Sequence, residues 1–131
     1  MFVALVFTAC KSGDIISYKY SSTTMMGKSE WTITEDSVIY TFNGRSEPKR
    51  EARATKATEW SALNKAIENI KLEEIADLKA PTEMRATDAA PFGKVYISTK
   101  DSTFKSKAFD GYNSHETLQP LLDEIKKITG K

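Results

Sequence analysis

Thr58-Glu59-Trp60-Ser61-Ala62-Leu63-Asn64-Lys65-Ala66-Ile67-Glu68-Asn69-Ile70 is the stretch at which the chain changes period. Its large apolar residues, Trp60, Leu63, Ile67 and Ile70, follow one another at intervals of three, four and three, which is one face of a helix. Thr58 is a suitable N-cap. Leu72, Ile75 and Leu78 continue in a shifted phase, so the helix is expected to break near Lys71, with a short turn or helix reaching Leu78 and Pro81 ending it.

On either side of this segment the period is two. Ile16, Tyr18 and Tyr20 alternate with polar neighbours, and so do Trp31 with Ile33 and Val38 with Tyr40 and Phe42. Between these strands Ser21 to Lys28 reads as a turn, Glu35-Asp36 as the tip of a hairpin and Asn43-Gly44 as another turn. Lys49 to Lys56 reads as a polar edge strand, where charge discourages pairing with another chain. Beyond the aperiodic stretch from Pro81 to Gly93, Val95 and Ile97, then Phe104 with Ala108 or Phe109, flank Lys100-Asp101-Ser102 as a second hairpin. Leu118, Leu121, Leu122, Ile125 and Ile128 form a last helical stripe. Pro120 is tolerated only in a first turn, which points to Thr117 as N-cap. The order β-β-β-β-α-β-β-α predicts an α+β domain over residues 15–131: an antiparallel sheet of about six strands with two main helices on one face.

Composition narrows the function. Hydrophobic residues at 40% and charged residues at 28% are ordinary for a globular domain able to bury its own core. The 19 basic residues are balanced by 18 acidic ones, so the clustered cationic excess that nucleic acid requires is not present. Arg45, Lys49, Arg50, Arg53 and Lys56 come nearest, and Glu47 and Glu51 dilute them.

The N-terminus carries an address. Met1 to Cys10 is an apolar run ending in the only cysteine, of signal-peptide rather than transmembrane length, with small Thr8 and Ala9 before the thiol. It resembles the lipobox of bacterial lipoproteins, which implies removal of residues 1–9, acylation of Cys10, a tether over residues 10–14, and a location at the bacterial cell envelope in the periplasm or at the surface. Phe7 stands where that motif usually has Leu, and no basic residue precedes the run, so we expect the natural start to lie upstream of Met1. The same residues are also β-prone, and a buried strand would make Cys10 a small core residue instead. Trp60, Pro81, Arg85, Asp88, Phe109-Asp110-Gly111 and the Leu118 to Ile128 stripe are similar to those of small bacterial envelope proteins of unknown function, which implies no particular activity.

The chemical inventory is thin. One histidine, His115, and one cysteine exclude a Cys/His structural zinc site, which needs about four ligands. No Gly-x-Ser-x-Gly elbow, Gly-rich phosphate loop or EF-hand loop is present, so neither cofactor nor metal is expected. Antiparallel pairing of the second hairpin brings Gly93 and Asp110 to one end of the sheet, and the loop with Arg85 and Asp88 must lie nearby. Arg85 is expected to pair with Asp88 or Asp110, either as a tie between loops or as a polar recognition site with Tyr112 and His115 on its rim. The expectation is a non-catalytic, lipid-anchored module binding the membrane through its lipid and another envelope protein or a small ligand through its sheet or end loops. The alternative is a carboxylate-dependent hydrolase with Asp88 and Asp110 as acid and base, facing one cleft at ~5–9.5 Å.

Overall fold

Alternating apolar residues become strands wherever one face can be buried. The computed structural model describes residues 15–87 and 90–129. The apolar run 1–9, Cys10 with the tether 10–14, and Asp88 lie outside the described residues. The strands are β1 (Ile15–Thr24), β2 (Gly27–Ile33), β3 (Ser37–Gly44), β4 (Lys49–Ala54), β5 (Phe92–Thr99), β6 (Thr103–Lys105) and β7 (Phe109–Asp110). Helix α1 (Ala57–Ala66) lies between β4 and β5 in sequence, and α2 (Gln119–Thr129) follows β7. The sheet order is β4-β3-β2-β1-β5-β6, with β7 also on β5, and every pairing is antiparallel. The architecture is α+β.

Register aligns the apolar residues in rows across the sheet. Val38, Ile33, Tyr18, Ile97 and Phe104 form one row, and Tyr40, Trp31, Tyr20 and Val95 the next. Leu63, Ile67, Leu121, Leu122, Ile125 and Ile128 close over these rows and share one buried cluster with Val38, Ile33, Tyr18, Ile97, Tyr20 and Val95, against which Trp31 and Phe104 pack. Polar bonds fix the same docking. The Tyr18 hydroxyl donates to Asn64 Oδ1 of α1 at 2.6 Å, and Arg53 of β4 reaches both Glu59 of α1 and the Ile128 carbonyl of α2. Burial pushes the Tyr18 and Tyr20 phenols well above their ordinary value, so both remain donors.

Several elements differ from the sequence reading, each for a local reason. The stretch Ser21 to Lys28 is mostly strand: β1 runs to Thr24 because Ser22 and Thr23 pair on both sides, with β2 and with β5, leaving only Met25-Met26 as the turn. Asn43-Gly44 pairs with Lys28 and Gly27, so β3 continues through it. Helix α1 starts at Ala57 with Lys56 at the N-cap, because the Glu59 carboxylate reaches back to the Lys56 amide at 2.9 Å and does the capping expected of Thr58. It ends at Ala66, while Ile67 and Ile70 remain buried in turns beyond it and Leu72–Asp77 is a 3-10 helix. Helix α2 starts at Gln119 rather than just after Thr117, because the His115 carbonyl accepts the Leu118 and Gln119 amides in an entry turn. The count of seven strands rather than six reflects one interrupted strand. Between the Tyr96↔Lys105 and Gly93↔Phe109 pairs the register moves by one residue, and Ser106 fills the interruption by bonding both the amide and the carbonyl of Val95.

Candidate functional site

At the β7 end of the sheet, Asp110 stands opposite Phe92, the first residue of β5, and the 82–87 segment folds over it. Two of its donors come from backbone: the 3-10 turn Met84–Thr87 presents the Met84 amide to Oδ2 at 2.8 Å and the Arg85 amide to Oδ1 at 2.9 Å. The Thr82 hydroxyl donates to Oδ2, and Arg85 Nη1 donates to Oδ1 at 2.9 Å. Arg85 Nη1 also donates to the Thr82 carbonyl at 2.8 Å, and Nη2 to Glu83 Oε1 at 3.2 Å. The side chains of Asp110 and Arg85 are only 4% and 11% exposed, so solvent competes little for these bonds. Burial by itself would raise the Asp110 carboxyl. The Thr82 hydroxyl, the Met84 amide and the Arg85 guanidinium and amide outweigh it and hold the group well below the usual carboxylate range.

Tyr112 and His115 follow β7 but have other partners. The Tyr112 ring stacks on Tyr20 with centroids 4.6 Å apart, and its hydroxyl shares a 2.7 Å bond with Thr129 Oγ1 of α2. Tyr20 lies between that ring and Trp31, and its own hydroxyl donates to the Gly111 carbonyl at 2.5 Å. Gly111 has φ +57, the left-handed region glycine adopts without strain, and a Cβ on Gly93 would collide with the Gly111 carbonyl and the Phe109 ring. His115 accepts the Thr117 amide through Nδ1 at 3.0 Å, which binds it into the entry turn of α2. The structure therefore brings Arg85 and Asp110 together, while Tyr112 and His115 serve the junction of β1, β7 and α2.

Thr82 and the two amides of the 3-10 turn are absent from the sequence reading. A short 3-10 turn carries no apolar period to announce it, and Thr82 alone gives no signal. Also unanticipated is a group of exposed apolar side chains, Met25 and Met26 at the β1–β2 turn with Phe92 at the start of β5. Among the described residues, no three His, Cys, Asp or Glu side chains converge as a metal site. No family model matches the chain, and no curated protein matches it.

Proposed function

We propose that the chain is a lipid-anchored module of the bacterial cell envelope, acylated at Cys10, that recognises a partner and performs no chemistry of its own. The observation that carries the non-catalytic half is the occupancy of Asp110. A carboxylate offers about four lone-pair sites, and here each oxygen already accepts two donors. A group so occupied, and held so far below the usual range, is a poor proton acceptor near neutrality. The hydrolase alternative needs this same carboxylate as acid or base, and using it would first require taking apart the loop that it holds. Arg85 and Asp110 act instead as a tie that fixes a recognition surface.

The anchoring half is supported by the apolar run that ends at Cys10 and by the short polar stretch Lys11-Ser12-Gly13-Asp14 before β1. The experiment is metabolic labelling in a Gram-negative host with a palmitate analogue, the gene being expressed from its natural start. The wild-type chain is expected to label and to partition into detergent, and Cys10→Ala to lose both properties. An unlabelled, freely soluble wild-type protein would overturn the anchoring.

A further inference from the structure

The sheet face turned away from the helices is polar, and its charges are unequal. Register places Lys28 beside Thr23 and Thr23 beside Phe92; Ser21 lies between Glu30 and Lys94; Tyr96 lies between Lys19 and Lys105. Lys19 and Lys28 share Glu30 at 3.8 and 3.2 Å, whereas among the described residues Lys94 and Lys105 have no carboxylate within ion-pair distance. Asp110, at the edge of the face beside Phe92, is neutralised by Arg85. The face is therefore a cationic surface on a chain whose net charge is only +1.

At one end this surface meets exposed apolar side chains. Met25, Met26 and Phe92 are 66%, 57% and 44% exposed. Two hollows have Thr23 and Phe92 in common as lining residues. The larger, of about 560 Å³, is lined by Met25, Met26, Pro91 and Phe92 over Thr23 and Thr24. The smaller, of about 230 Å³, is lined by Lys28, Lys94, Tyr96, Ser21, Thr23 and Phe92. An apolar hollow sharing a wall with a cationic one matches a ligand divided in the same way, with an anionic head and a hydrocarbon tail. Methionine is suited to such a tail, because its unbranched, polarisable chain repacks around flexible shapes.

We propose that this junction binds an anionic phospholipid of the bilayer, with hydrocarbon against Met25, Met26 and Phe92 and the phosphate held by Lys28 and Lys94. A protein partner fits less well, since a stable protein interface needs about 800 Å² from each side and these hollows are the size of one small molecule. The choice of a bilayer over a free amphiphile rests on the anchoring proposed at Cys10, which keeps headgroups at high effective concentration beside the domain.

The test uses the full chain carrying Cys10→Ala, so that no acyl chain is attached and the N-terminal segment is the same in every arm. It is sedimented with phosphatidylcholine vesicles and with vesicles that also contain phosphatidylglycerol. Partitioning is expected to favour the anionic vesicles by roughly fivefold, the share of one unpaired lysine near the surface, because the Lys28 charge is already offset by Glu30 at 3.2 Å. Lys28→Gln with Lys94→Gln removes that preference, and Met25→Ser with Met26→Ser weakens partitioning to both vesicle types. All four positions are solvent-facing, and matched circular dichroism checks that the variants fold. Equal partitioning of Cys10→Ala into both vesicles, or a preference that survives the double lysine change, overturns the proposal. So does stabilisation by inorganic phosphate without vesicle preference, which would identify a free anion, or self-association lost with the methionines, which would identify a second copy. Failed palmitate labelling would remove the anchor and leave a lysine-dependent lipid preference standing. Labelling without that preference would remove the lipid site alone.

Discussion

Arg85→Ala tests the tie that holds the end loops. The substitution removes three hydrogen bonds: to Asp110 Oδ1 at 2.9 Å, to the Thr82 carbonyl at 2.8 Å, and to Glu83 at 3.2 Å. Glu83 is exposed, so its share is under about 1 kcal/mol. Stripping one partner from a buried ion pair costs about 3–5 kcal/mol when the other is left bare. Here the Thr82 hydroxyl and the two amides remain on the carboxylate after Arg85 is gone, so the charge is not stranded. The expected loss is about 2 kcal/mol, near the lower end for charge-assisted hydrogen bonds. Urea unfolding should show it as a lower midpoint with unchanged slope. In an Asp110→Asn background the same substitution should lose less than half as much, because the interaction partner has already been altered. A loss under about 0.5 kcal/mol, or an equal loss in both backgrounds, would refute the assignment of Arg85 to this carboxylate.

Three further outcomes follow from the same geometry. Asp110 has a folded-state value below its unfolded value of about 3.9, so its contribution to stability is complete above that pH and is lost as pH falls through the folded value. Acid titration of stability should therefore be shallower in Asp110→Asn, and an unchanged slope would show that the carboxylate is not specially held. Tyr18→Phe removes the donor to Asn64 and should cost about 1 kcal/mol; in alkaline absorbance titration of the wild type, Tyr18 and Tyr20 should ionise only as the protein unfolds. Gly93→Ala drives a methyl into the Gly111 carbonyl and the Phe109 ring and should cost about 2 kcal/mol by thermal unfolding, whereas a neutral effect would show that the β5–β7 junction yields easily.

What could be read in the sequence was whatever has a period or a fixed partner in the chain. Tyr18, Tyr20, Trp31, Ile33, Val38 and Tyr40 announce strands because one face of each is buried, and Leu121 to Ile128 announce a helix for the same reason. The Ser21–Thr24 stretch was opaque: hydroxyl residues are shared by turns and by polar strand positions, and only pairing on both sides selected the strand. The nearness of Arg85 to Asp110 follows from hairpin geometry, but the choice of oxygen partners does not. That choice depends on amides aimed by a 3-10 turn, a backbone conformation with no side-chain signature. The cationic face was hidden by dispersal. Lys19, Lys28, Lys94 and Lys105 lie on four different strands, so a linear scan for charge clusters passes over a surface that exists only after pairing.

The position of β1 sets the order in which the chain can complete itself. The earliest described strand is central, joined on one side to its immediate neighbour in sequence and on the other to β5, so that residues 15–23 wait for residues 92–99. A nascent chain can form the β1–β4 meander early, yet Tyr18 and Tyr20 stay uncovered along one edge until the last third is available, and α2 arrives last of all. Such non-local pairing slows folding. The same delay gives truncated products ending before Phe92 an open edge at β1, where intermolecular strand pairing and aggregation would begin.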